Sequence, residues 1–230
     1  MPYDSNAVTQ NWMSSKMAEI VPAITVETVD EFRIETEKVG AFARRVHIDI
    51  TDGEFAPTFL LSEDQLYWPG AWDVDIHAMV ARPSEHLAKI IQLKPRLVIL
   101  HAEAQENILV HFEALKAAGI KTGIGLLKTT VPATVEAAIK VADHVMIFSG
   151  DLGKFGGTAS MMQLEKVRLV KKIKPGVEVG WDGGVNIENA YTLTQGGVDV
   201  LNVGGAIAES SEPGSVYNAL VKEINKHGVI

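Results

Sequence analysis

Val46-His47-Ile48-Asp49-Ile50 is a short apolar run interrupted twice, by an imidazole and by a carboxylate two residues later. Side chains alternate across an extended strand, so His47 and Asp49 point to one face. Runs of similar length recur along the chain, at residues 20–26, 46–50, 74–80, 97–100, 123–127, 144–148, 177–181 and 200–203. Between them apolar residues fall at helical spacing, as in Leu87, Ile90 and Ile91, then Ile108, Phe112 and Leu115. Ser84 before Glu85 and Asn186 before Ile187 are N-cap candidates, and Gly119 and Gly196 stand where helices should stop. Eight strand–helix units in a chain of this length point to an α/β fold, a TIM (β/α)8 barrel, for which about 250 residues is typical. A doubly wound open sheet, which also alternates strand and helix, is the alternative. No linker or low-complexity stretch interrupts the alternation, so residues 20–230 read as one barrel domain and residues 1–19 as a short N-terminal extension.

Composition narrows the function classes. The chain has 230 residues, 47% of them hydrophobic, enough to bury a substantial core. Its net charge of −8 is dispersed and no basic stripe is visible, which argues against a nucleic-acid partner. Cysteine is absent, removing disulfides, thiolate metal sites and cysteine nucleophiles together. The first twenty residues lack the basic lead and apolar core of a signal peptide, and no apolar run is long enough to span a bilayer. The expectation is a cytoplasmic protein without a membrane partner.

His47, Asp49, His77 and Asp182 each lie on, or one residue past, an apolar run. In a TIM barrel the chemistry sits at the C-terminal strand ends, and all four fall there, on strands two, three and seven. Singly, each has an ordinary explanation: a histidine in an apolar run is often a hydrogen-bonded core residue, and Asp182 before Gly183-Gly184 suits a turn. Together they are polar groups that need a partner when buried, and two imidazoles with two carboxylates suit one divalent ion such as Zn²⁺, Fe²⁺, Mn²⁺ or Co²⁺. Asp143 and Asp199 instead precede their runs and read as structural residues of the opposite face. Glycine pairs follow three consecutive strands: Gly156-Gly157, Gly183-Gly184 and Gly204-Gly205. Glycines let backbone N–H groups crowd an anion, so these six are candidates for a phosphate cradle. The segment Gly150-Asp151-Leu152-Gly153-Lys154 has the wrong spacing for a P-loop.

Six motifs resemble the ribulose-phosphate 3-epimerase family over nearly the whole chain after residue 20: His47-Ile48-Asp49-Ile50-Thr51-Asp52-Gly53, Asp75-Ile76-His77-Ala78-Met79-Val80, His101-Ala102-Glu103-Ala104, Phe155-Gly156-Gly157, Asp182-Gly183-Gly184-Val185 and Gly204-Gly205-Ala206-Ile207. The resemblance implies a TIM barrel with one divalent metal held by His47, Asp49, His77 and Asp182, and a substrate phosphate held by the three glycine loops. It implies an isomerase of the pentose phosphate pathway, commonly a homo-oligomer, interconverting D-ribulose 5-phosphate and D-xylulose 5-phosphate. Asp49 and Asp182 are the implied acid and base on opposite faces of an enediolate, which the metal stabilises as a Lewis acid.

Departures from the family pattern concern the substrate. Pro22-Ala23-Ile24-Thr25-Val26 lacks the usual serines of strand one, and Thr51 and Phe148 stand where methionines are common. The loop from Gly150 to Gly157 is about one residue longer than the family's and adds Lys154, while Lys128-Thr129-Thr130 replaces Asn-Pro after strand five. Lys128 reads as a solvated loop lysine, and Trp68 and Trp72 as packing residues. The alternatives are an epimerase of a six-carbon ketose phosphate of the allulose 6-phosphate type, a lyase or aldolase with the enediolate fate altered or Lys128 as an amine nucleophile, and a non-catalytic sugar-phosphate-binding paralogue.

Overall fold

Each apolar run becomes a short parallel strand in the computed structural model, which describes residues 17–154 and 156–226. The strands are β1 (Glu19–Ile24), β2 (Arg45–Thr51), β3 (Asp73–Met79), β4 (Leu97–His101), β5 (Lys121–Leu126), β6 (His144–Phe148), β7 (Glu178–Asp182) and β8 (Val200–Val203). Each pairs with the next in sequence, and β8 returns to β1 to close the barrel. Closure explains the near-continuous apolar runs, because parallel strands covered on both faces have no solvent side. Along β2, Val46, Ile48 and Ile50 join the large core that also contains Phe32, Val39, Phe112 and Leu193. Their neighbours His47 and Asp49 turn into the barrel. Leu97, Ile99, Met146 and Phe148 form a separate apolar cluster there.

The helices are α1 (Val29–Gly40), α2 (Leu87–Leu93), α3 (Ile108–Ala117), α4 (Glu136–Val141), α5 (Leu164–Ile173), α6 (Ala190–Gln195), α7 (Gly205–Ala208) and α8 (Pro213–Ile224). A capping box starts α1: Glu31 N donates to Thr28 Oγ1 at 3.2 Å and Thr28 N donates to Glu31 Oε2 at 3.1 Å. Such a cap contributes about 1 kcal/mol. The helix then buries Phe32, Thr36 and Val39 at helical spacing. Gly119, at φ 77°, ends α3, and α6 stops at Gly196, as expected.

Three local expectations are corrected. The connection from β2 to β3 carries only a 3-10 turn, Glu63–Gln65, in place of an α-helix. Ser84 does not cap α2. It lies inside the 3-10 turn Pro83–Glu85, which Pro83 initiates, and its hydroxyl donates to Glu106 Oε1 at 2.6 Å. Asn186 caps a turn one step ahead of α6: its Oδ1 accepts from Glu188 N at 2.9 Å, and the helix begins only at Ala190. The N-terminal extension falls largely outside the described residues, and β1 opens at Glu19.

Asp143 and Asp199 tie the lower strand ends together, accepting from Thr122 N at 2.9 Å and Val179 N at 2.8 Å. Trp72 is buried and Trp68 packs on the same core. Among the described residues, no helix is long and apolar enough to cross a membrane.

Candidate active site

Parallel register sets the side chains that meet at the C-terminal end of the barrel. Asp49 on β2 lies level with His77 on β3, and Asp182 on β7 lies level with Asn202 on β8. The barrel closes the gap between these strands. One donor atom from each of His47, Asp49, His77 and Asp182 lies within 4.8 Å of the others. His47 Nε2 is 3.2 Å from Asp49 Oδ1 and 3.5 Å from Asp182 Oδ2; His77 Nδ1 is 2.8 Å and 3.6 Å from the same oxygens. Tetrahedral ligands at metal–ligand distances of about 2.0–2.2 Å stand about 3.3–3.6 Å apart. The four His–Asp separations, from 2.8 to 3.6 Å, lie near that spacing, so the cage could hold a small divalent ion. Among the described residues, no lysine or arginine forms an ion pair with either carboxylate.

The cage is buried, and its electrostatics follow from that. Burial works against the charged ring of His47, but hydrogen bonds with Asp182 and Asp49 outweigh it and push the imidazole up to about 10. Burial likewise opposes ionisation of Asp49, but its bonds with His47 and His77 hold it far below the usual carboxylate range. Without a metal, the proton on the His47 imidazole offsets part of the carboxylate charge.

The six candidate phosphate glycines line one cavity of about 360 Å³, together with Asp49 and Asp182. That volume is within the range of ligand pockets. Gly183 and Gly184 have φ of 102° and 71°. A Cβ on Gly183 would meet Gly150 N at 2.0 Å, and one on Gly184 would meet Ala159 N at 2.1 Å. Only glycine lets the loops after β6 and β7 pack backbone against backbone, an arrangement that a Gly184 N to Gly156 O bond of 3.0 Å helps to hold.

Lys128 stays outside this machinery. Its side chain is 46% exposed, with Nζ 3.7 Å from Asp151, so it is a solvated loop lysine and not a desolvated amine.

Other participants were not legible as such. Thr25, just past β1, donates its hydroxyl to Asp49 Oδ2 at 2.5 Å. Asn202 lines the cavity, and its buried Oδ1 has no hydrogen-bond partner among the described residues. His101 and Glu103 stand behind His77, although their motif had carried no role. Burial keeps the His101 imidazole below its ordinary value.

Fold and site together define a class: a closed (β/α)8 barrel with a metal-competent cage and a glycine-lined cavity at its C-terminal face. Residues 19–208 match the Ribulose-phosphate 3 epimerase family, and the chain belongs to that family. It is similar to the chloroplastic ribulose-5-phosphate-3-epimerase of Arabidopsis thaliana, 29% identical over 174 residues, which cover 70% of this chain and 61% of the plant protein. Its match to the cytoplasmic isoform of ribulose-phosphate 3-epimerase from Oryza sativa subsp. japonica is 27% over 217 residues, covering 90% of this chain and 94% of that protein. The solved structure of 3-hexulose-6-phosphate synthase from Salmonella typhimurium shares the fold, with a TM-score of 0.65 at 15% identity over 90% of this chain and 98% of that one.

Proposed function

We propose that the protein is a metal-dependent ketose-phosphate 3-epimerase that interconverts D-ribulose 5-phosphate and D-xylulose 5-phosphate, acting in the cytoplasm as a homo-oligomer. The observation carrying this reading is the pair Asp49 and Asp182, delivered from β2 and β7 to one cage beside a glycine-lined cavity. Inversion at C3 needs a proton removed from one face of the sugar and another delivered to the opposite face. Two carboxylates from separate strands meet that requirement, with Asp49 as one acid–base group and Asp182 as the other. Which of them acts first depends on the direction of reaction.

Asp49 divides its labour. Its Oδ1 faces His47 and His77 in the cage, while Oδ2 is held by the Thr25 hydroxyl at the cavity. One oxygen is thus committed to the cage and the other is aimed for proton transfer. His47, Asp49, His77 and Asp182 would hold Zn²⁺, Fe²⁺, Mn²⁺ or Co²⁺, which supplies Lewis-acid stabilisation of the negative charge that develops on the sugar oxygens. The backbones of Gly156, Gly157, Gly183, Gly184, Gly204 and Gly205 would grip the phosphate. That grip fixes the register of the sugar so that only C3 meets the two carboxylates.

A six-carbon ketose phosphate is the second reading, favoured by one observation. The cavity adjoins a cleft of about 600 Å³ that shares Thr25, Gly153, Lys154 and Glu209 with it, leaving room for a longer chain. Proton NMR of ribulose 5-phosphate in deuterated water, with and without Mn²⁺ or Zn²⁺, tests the assignment. Metal-dependent exchange at C3 with formation of xylulose 5-phosphate is the expected result. Absence of exchange in metal-loaded protein would overturn the five-carbon assignment, and exchange with allulose 6-phosphate would then establish the second reading.

A further inference from the structure

His77 enters the cage through Nδ1, and its other nitrogen faces a second histidine. His77 Nε2 lies 2.8 Å from His101 Nε2, and His101 Nδ1 lies 3.2 Å from Glu103 Oε2. The other carboxylate oxygen, Glu103 Oε1, accepts from Leu127 N at 3.0 Å and from the Thr130 hydroxyl. These contacts form a file from the cage to the loop after β5. Both histidines are fully buried, so a joint without a proton would leave two lone pairs opposed in a low-dielectric interior.

Only one proton order satisfies every joint when His77 offers its Nδ1 lone pair to a metal. The single proton of the His77 ring must sit on Nε2, so His101 Nε2 must accept it. The His101 proton then sits on Nδ1 and is donated to Glu103, whose carboxylate has no proton of its own to give. The opposite order, with His77 Nδ1–H pointing at Asp49, turns the His101 Nδ1 lone pair against the Glu103 carboxylate. The anion at the far end of the file therefore selects the tautomer that a metal needs at the near end.

The fold builds a seat for this file. His101 ends β4 beside Gly125 on β5, where a Cβ would stand 3.0 Å from the imidazole. Phe55 and Phe148 flank the ring, with centroids at 4.8 Å and 5.8 Å. We infer that His101 and Glu103 are positioning residues that hold His77 in its metal-ligating tautomer. The inference rests on the metal-centre reading of the cage and deepens it.

Zinc titration of the metal-free full-length protein, with no substrate present, tests the inference. Removing an outer partner of a ligating histidine typically costs 10–100-fold in metal affinity, and His101→Leu should weaken Zn²⁺ binding by about that factor. His101→Gln, of similar volume, keeps an acceptor for His77 Nε2–H and should recover much of the loss. A role in packing alone predicts the reverse order, because the seat between two phenylalanines favours leucine. Glu103→Gln should weaken binding several-fold while preserving shape. His77→Ala, which removes the ligand, sets the floor of the series. Should the His101 variants not fold, ¹⁵N-histidine NMR of the zinc-loaded parent decides. Protons on His77 Nε2 and His101 Nδ1 are expected, and a proton on His101 Nε2 would overturn the file. A parent that binds no zinc would sink the metal-centre reading. A parent that binds zinc no more tightly than a folded His101→Leu would sink only the file.

Discussion

The two ends of the barrel interior hold the same kinds of side chain in opposite states of charge balance. At the N-terminal end Arg45 reaches Asp75, Glu19 and Glu178, each at 2.8 Å, and Arg96 Nη1 meets Asp75 Oδ1 at 2.8 Å. Burial works against the Arg45 charge, but Asp75 and Glu178 outweigh it and hold the guanidinium firmly protonated. His144 leans on Glu178 at 3.0 Å, and burial keeps its imidazole below the ordinary value. At the C-terminal end Asp49 and Asp182 meet only imidazoles and a hydroxyl among the contacts described above. The lower end carries guanidinium groups of its own, whereas the upper end pairs its carboxylates with imidazoles in a cluster that could hold a metal ion. Buried carboxylates alone do not mark a metal site; what supports the metal-centre proposal is that, among the described residues, Asp49 and Asp182 form ion pairs with histidines and with no lysine or arginine.

Four substitutions or titrations would break or sharpen that contrast. The largest effect is expected from Asp182→Asn, which removes one of the two proposed proton-transfer groups at the upper end. General acid–base groups contribute about 10²–10⁴-fold, so kcat should fall by that range with an unchanged circular dichroism spectrum. Near-normal turnover would refute the two-carboxylate mechanism. Next comes Arg45→Met at the lower end, which takes a buried guanidinium away from Asp75 and Glu178 and leaves Arg96 beside them. It should cost about 3–5 kcal/mol in urea unfolding and leave zinc affinity of the folded protein unchanged. A small stability loss would mean that the lower end does not depend on its own charge balance.

A subtler effect concerns pH. His47, pushed up to about 10, is protonated at neutral pH in the metal-free protein and must lose that proton to ligate. Zinc binding should then release about one proton, so apparent affinity rises with pH, roughly tenfold per unit between about 7 and 9. Calorimetry in buffers of different ionisation enthalpy reads the proton count directly. No release would show that His47 is neutral before metal arrives. The smallest change is expected from Lys128→Ala, less than about twofold in kcat/KM, because a solvated surface lysine pays little toward chemistry. A collapse of activity would revive the amine-based lyase alternative.

The four cage residues and the six glycines could be nominated from one sequence because strands impose a period of two and barrels place chemistry at one end of every strand. The missing helix after β2 and the late starts of α2 and α6 were less legible, since Pro83 and Asn186 punctuate turns that need not continue into helices. Thr25 was overlooked because a threonine ending an apolar run is indistinguishable from any strand residue until Asp49 is seen beside it. Lys128, read as solvated from its loop position, is solvated in the structure.

Alternation, strand ends and local turn chemistry are properties of neighbouring residues, so the order of residues alone determined the barrel and the residues able to line its catalytic face. Distances between groups far apart in the chain are set by register and closure. Only the tertiary structure decided that His47, Asp49, His77 and Asp182 share one cage, that Arg45 pairs with Glu178 from 133 residues away, and that His101 and Glu103 stand in file behind His77.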